Sequence, residues 1–170
     1  MPAGATDLFG DETMAMPHTD WNETAARAVI AAHLHQDGAM LPILHDLQAT
    51  FGFIPRDAEP LIAHALNLSR AEVHGVISFY HDFRREPAGR HVLKLCRAEA
   101  CQSMGSERNA QHLLDRLGLD WGGTTPDGRL TIEAVYCLGL CATAPAALLD
   151  DAPIGRLDAA TLETMAMDAA

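Results

Sequence analysis

His91-Val92-Leu93-Lys94-Leu95-Cys96-Arg97-Ala98-Glu99-Ala100-Cys101 is the stretch whose reading decides the fold. His91 to Leu95 alternates and is rich in β-formers, which predicts a strand ending at Cys96. Downstream, Ser103 to Leu117 reads as one helix with Ala110, Leu113, Leu114 and Leu117 on a common side and Gly118 as its stop. Trp121 to Gly128 is turn-forming throughout. A second strand, Leu130 to Tyr136, ends at Cys137, and a short third, Ala146 to Leu149, precedes a turn at Asp150 to Gly155. The last helix runs from Asp158, its cap, to Met167. Strand, helix, strand, strand, helix is the order of a small α/β sandwich.

Upstream the pattern is helical. Trp21, Ala25, Ala28, Val29 and Ala32 recur at the three- and four-residue steps of one helix face. Pro42, tolerated in a first turn, opens a second helix with Leu44, Leu47 and Phe51, which Gly52 and Pro55 end. Pro60 to Leu66 forms a third, closed by Asn67, a residue that accepts the left-handed turn. Ser69-Arg70-Ala71-Glu72 matches a capping box and starts a fourth, with Val73, Val76 and Ile77 inward. Glu86-Pro87-Ala88-Gly89 reads as a linker. The expected organisation is a flexible or partner-ordered tail at residues 1–19, a bundle of about four short helices at 20–85, and the α/β domain at 90–168.

The 170 residues are 48% hydrophobic and 21% charged, as in an ordinary globular protein, so a core forms without disulfide staples. A net charge of −11 argues against nucleic acid as partner, and Arg84-Arg85 with Arg90, Lys94 and Arg97 is too thin for a phosphate track. No stretch approaches the roughly 18 apolar residues of a membrane span. The first 19 residues lack the basic start and apolar centre of a secretion signal, which makes the cytoplasm the expected location.

All four cysteines lie in the second half: Cys96 and Cys101 as C-x4-C, Cys137 and Cys141 as C-x3-C. Each pair begins where a strand ends, and loops leaving neighbouring strands at one edge can bring four thiolates together. Several readings compete. Disulfides need an oxidising compartment. Structural zinc prefers C-x2-C knuckles, and a zinc-stapled interaction module stays open as an alternative. A thiol oxidoreductase of the thioredoxin type needs C-x-x-C. A [4Fe–4S] cluster more often takes a C-x2-C-x2-C run. Two thiolates per iron of one [2Fe–2S] cluster is the reading these spacings favour.

Leu95-Cys96-Arg97-x-x-x-Cys101, with Tyr136-Cys137-Leu138-Gly139-Leu140-Cys141-Ala142-Thr143-Ala144-Pro145, resembles the thioredoxin-like [2Fe–2S] ferredoxin subunit family. That family includes the 24-kDa subunit of NADH dehydrogenase, the small diaphorase subunit of NAD-reducing hydrogenases and the gamma subunit of NAD-dependent formate dehydrogenases. Val73-His74-Gly75-Val76-Ile77-Ser78-Phe79-Tyr80 is similar to its helical V-x-G-V-x-S-F-Y segment, so the likeness spans about residues 22–165. Cys96 to Gly105, as CRAEACQSMG, is most similar to the formate dehydrogenase subunits, and Tyr136 stands where NADH dehydrogenase subunits usually have Glu.

The resemblance implies an α/β fold: a helical bundle followed by a thioredoxin-like domain holding one [2Fe–2S] cluster on Cys96, Cys101, Cys137 and Cys141. It implies a partner subunit that binds FMN and NAD, and a further subunit with molybdenum cofactor and additional iron–sulfur clusters that oxidises formate. The alternative within the family is the equivalent subunit of an NADH:quinone dehydrogenase or an NAD-reducing hydrogenase. This chain shows neither G-x-G-x-x-G nor a P-loop, so no NAD or FMN binding and no catalysis of its own is expected.

Nine histidines are many, but His91 and His112 are not spaced as ligands. His33 and His35 fall on different helix faces and are expected at the surface. Gly139 is expected to allow a positive φ or a close approach to the cluster. The peptide before Pro145 could take either isomer, trans being the ordinary one. Met14, Met16, Met165 and Met167 read as tail and packing.

Overall fold

The computed structural model describes residues 20–169. The expectations for the tail at 1–19, with Met14 and Met16, fall outside them. The chain divides into two compact units, one ending at Phe83 and one beginning at Arg84.

The first unit holds α1 (Glu23–His33), α2 (Met40–Phe51), α3 (Ala58–Leu66) and α4 (Arg70–Phe79). Each helix is started or stopped by an identifiable residue. Asn22 caps α1 by accepting the Ala25 N–H at 3.1 Å. Gly52 at φ 80° and Asn67 at φ 54° close α2 and α3 in left-handed geometry. Ser69 and Glu72 form the expected capping box on α4: Glu72 N–H donates to Ser69 Oγ at 3.2 Å and Ser69 N–H to Glu72 Oε2 at 2.8 Å. The core is apolar and tight, with Ile43, Leu44, Leu47, Ile54, Ile62 and Val73 fully buried and Phe51 nearly so. Trp21 meets Phe51 edge-on, ring centroids 5.1 Å apart.

Two expectations for this unit are corrected. The buried face of α1 is centred on Ala26 and Ile30, while Ala28 and Ala32 face solvent. A run of alanines marks helix propensity without marking a face. His33 is not a surface residue: its side chain is 15% exposed, and its Nε2 lies 2.6 Å from Asp46 Oδ2 on α2.

The second unit contains β1 (His91–Cys96), α5 (Glu99–Ser103), α6 (Ser106–Leu117), β2 (Leu130–Val135), β3 (Ala147–Leu149), β4 (Ala152–Ile154) and α7 (Ala159–Ala169). The sheet order is β2-β1-β3-β4. β1 and β2 are parallel, with His91 opposite Leu130 and Cys96 opposite Val135. β3 runs antiparallel to β1, with Leu95 opposite Ala147. α6 packs on β1, and α7 packs on α6. They bury Ala110, Leu113 and Leu114 from α6 and Leu162, Met165 and Ala166 from α7. Asp158 caps α7 through the Thr161 N–H, at 2.7 Å.

Here too the structure amends the reading. Ser103 to Leu117 is not one helix: Gly105 sits at φ 90°, which no α-helix can hold, and separates α5 from α6. The turn at Asp150 to Gly155 contains a strand, β4, behind a two-residue turn in which Asp150 and Asp151 have φ 49° and 69°. Two successive positive φ values match the twist of paired strands. Pro153 is accommodated because β4 is the sheet edge. β2 stops at Val135, leaving Tyr136 outside it. The segment at Gly89 is no free linker, since its N–H donates to Thr131 Oγ1 at 2.7 Å and a Cβ there would meet Leu130 N at 2.9 Å.

Leu47→Ala should cost about 2–5 kcal/mol in denaturant unfolding, because the site is closed on all sides. Hydrogen bonds from the Ser69 backbone and hydroxyl hold the Glu72 carboxyl below its ordinary 4.5. A depressed folded value means stability present above that pH and lost as pH falls below it. Acid titration should therefore show stability falling as pH drops below about 4.5, a loss that Ser69→Ala shrinks by removing the hydroxyl bond while leaving the backbone one, and that Glu72→Gln abolishes.

Candidate cluster-binding site

Parallel pairing of β1 and β2 places their C-terminal ends side by side. Cys96 is the last residue of β1, and its register partner Val135 is the last of β2, two residues before Cys137. The chain leaving each strand therefore turns at the same edge. Arg97 N–H donates to Val135 O at 2.8 Å and Cys96 N–H to Ala146 O at 3.1 Å, so β2 and the segment entering β3 both hold the end of β1.

After Cys96 the chain passes Arg97 and Ala98 into α5, which carries Cys101. Cys101 thus sits on a short helix, where a loop was expected. Cys96 is 3% exposed and Cys101 2%. The second pair follows Tyr136. Cys137 takes φ 77°, uncommon for a residue with a Cβ, and Gly139 takes the expected positive φ, 75°. Cys141 opens a 3₁₀ turn through Thr143, and Ala144–Pro145, a cis peptide, leads back to Ala146 beside Cys96. Cys137 and Cys141 are exposed, with their sulfurs 3.9 Å apart.

The thiols sense one another. Burial pushes the Cys96 thiol up, but the backbone N–H groups of Ala98, Cys137 and Leu138, together with the Cys101 side chain, bring it below its ordinary value. Cys101 is pushed up, first by burial and then by Cys96, with Cys141 adding to the effect and the Ala146 amide opposing it. Cys141 is pushed up by its hydrogen bond to Cys137 and by the negative charge of that neighbour. Cys96 and Cys101 are closed in by Ala146, with Leu138, Leu140 and Ala144 packed around them. All four expected site residues thus gather at one edge.

Cys96 and Cys101 are hydrogen-bond partners, as are Cys137 and Cys141, and Cys141 is close enough to bear electrostatically on both inner thiols. Amide donors at the sulfurs, a buried inner pair and an exposed outer pair suit a group with two irons and two thiolates on each. His91 lies at the opposite end of β1, bonded to Asp150 at 2.6 Å, and His112 is exposed on α6.

Three features were beyond the sequence reading: the left-handed Cys137, the amides aimed at Cys96, and a clamp on Arg97. The Arg97 guanidinium donates to both carboxylate oxygens of Glu107, at 2.7 and 3.0 Å, and lies 4.7 Å from the Trp121 ring centre. Only the Arg beside a cysteine hinted at the last.

In the metal-free chain, alkylation should modify Cys137 and Cys141 well before Cys96 and Cys101, because reagent reaches only the outer pair without opening the fold. Peptide mapping at timed quenches checks this order.

The model of the thioredoxin-like [2Fe–2S] ferredoxin family matches residues 26–169. An NADH-quinone oxidoreductase subunit of Rhizobium meliloti is 37% identical over 138 residues, which are 81% of this chain and 82% of that one. The corresponding NADH-quinone oxidoreductase chain of Pseudomonas aeruginosa is 36% identical over 70% and 73%, and the NADP-reducing hydrogenase subunit HndA of Solidesulfovibrio fructosivorans 31% over 72% and 71%. Among solved structures, the NAD+-reducing [NiFe]-hydrogenase in its H2-reduced state aligns with TM-score 0.57 at 28% identity, over 85% of this chain and only 22% of the hydrogenase chain. The chain belongs to the thioredoxin-like [2Fe–2S] ferredoxin family, and its cofactor is accordingly one [2Fe–2S] cluster.

Proposed function

We propose that Cys96, Cys101, Cys137 and Cys141 hold the cluster, and that the chain is the electron-transfer subunit of a multisubunit, NAD-linked oxidoreductase. The gathering of four thiols at the shared end of β1 and β2 carries this reading. When bound there, the cluster supplies a one-electron donor and acceptor. The chain's own residues do the rest. Amides of Ala98, Cys137 and Leu138 stabilise thiolate charge, Leu138, Leu140 and Ala146 limit water around the inner pair, and the exposed outer pair faces a partner.

The finer assignment is an NAD-dependent formate dehydrogenase of the cytoplasm. Its FMN- and NAD-binding subunit would exchange electrons with this cluster, and its molybdenum subunit would oxidise formate. CRAEACQSMG at Cys96 to Gly105 supports it. A second reading, the equivalent subunit of an NADH:quinone dehydrogenase or of a hydrogenase, is favoured by the names of the relatives. The second unit carries the cluster in either case, and the division between Phe83 and Arg84 supports a separate helical bundle before it. Among the described residues no helix is long and apolar enough to cross a membrane.

Anaerobically purified chain should be red-brown, bleach with dithionite and show an S = 1/2 EPR signal on reduction. Cys101→Ser should lose most of that signal. Colourless protein with one zinc would overturn the cluster assignment. With a net charge of −11, the potential should lie toward the negative end for [2Fe–2S] centres, and a clearly positive titration midpoint would contradict that. Co-purification with a molybdenum subunit, as against a quinone-reducing or hydrogen-oxidising one, separates the finer readings.

A further inference from the structure

Arg97 lies between the two inner cysteines, and both its side chain and its backbone are tied down. Its guanidinium forms the two-point bond to Glu107 on α6 and rests on Trp121. Its N–H is held by Val135 O, and its own carbonyl accepts from Gln102 Nε2 at 2.8 Å. Gln102 is anchored in turn, since its N–H donates to Ala98 O at 2.9 Å.

The Arg97 carbonyl and the Ala98 N–H belong to one planar peptide and point in opposite directions. Pinning the carbonyl toward Gln102 therefore sets where the Ala98 N–H points. That N–H is the first of the amides serving the Cys96 sulfur. A hydrogen bond to a ligand sulfur stabilises the more negative, reduced cluster and raises its potential.

We propose that Arg97 and Gln102 are positioning residues for electron transfer: together they orient the Arg97–Ala98 peptide so that its N–H is held on the Cys96 sulfur, and so raise the potential of the cluster. The proposal rests on the reading that Cys96 is a ligand. It differs from a simple charge effect, because the positive charge of Arg97 is already matched by Glu107 at 2.7 Å. Lys at position 97 keeps the charge but loses the planar fork and the stacking face.

Redox titration by EPR of the cluster-loaded chain separates these accounts. Orientation predicts a lower potential in Arg97→Lys, Glu107→Gln and Gln102→Ala alike. Each should shift the reduced-to-oxidised ratio by about threefold to tenfold, the worth of one hydrogen bond, tenfold being about 59 mV for one electron. A pure charge effect predicts no change in Arg97→Lys or Gln102→Ala, and a raised potential in Glu107→Gln, where an unmatched cation remains. Either result would overturn the proposal. Gln102→Ala changes no charge at an exposed position and decides the matter if Arg97→Lys fails to hold iron. Iron and acid-labile sulfide are counted first. A wild-type chain without two of each defeats the ligand reading itself, whereas a loaded chain with unmoved potentials defeats only the positioning role.

Discussion

The parallel register of β1 against β2 is the constraint from which the site follows. Two cysteine pairs separated by 35 residues of intervening chain meet because each leaves its strand at the same edge. An antiparallel pairing would put Cys96 and Cys137 at opposite ends of the sheet, a strand length of about 17–20 Å apart. The crossover through α5 and α6 makes the parallel pairing possible, and the apolar face of α6 on β1 holds it. Burial of Leu93, Leu95, Leu130 and Ile132 in the strands is thus also what assembles four thiols.

On the proposed ligand set the site has a conflict of charges to resolve, because a cluster with four thiolates would add negative charge to a chain already at −11. The loop from Cys137 to Pro145 contains no Lys or Arg, so compensation near the sulfurs comes from backbone N–H dipoles. Dipoles work only if the peptides are aimed, and aiming requires a fixed backbone. Positive φ at Cys137 and Gly139 shapes the outer loop, and the bonds on Arg97 hold the inner one. Tyr136, which is 69% exposed, and Met104, at 62%, leave large side chains at the surface beside Cys137 and at the end of α5.

Much of the architecture was legible because local chemistry encodes it. The Ser69–Glu72 box, the Asn67 closure, the alternating run at His91 to Leu95 and the cap at Asp158 act within a few residues of themselves. Other features are set by contacts that local signals do not carry. Pro153 read as a turn because sequence does not say which strand is an edge, and the break at Gly105 was hidden by helix-formers on either side. The shielding of His33 is not legible locally, because its partner Asp46 is on another helix.

By itself the sequence determined the chemistry: four cysteines in two pairs at strand ends, a glycine where the outer loop needs a positive φ, and an acidic chain without nucleotide-binding motifs. Spacing of this kind is local and survives any arrangement of the rest. Only the tertiary structure decided that one pair is buried and the other exposed, and that backbone amides from both loops converge on Cys96. It alone joined Arg97 to Glu107 and Trp121. Those depend on strand register and on peptide orientation, which long-range packing sets and no short stretch of sequence encodes.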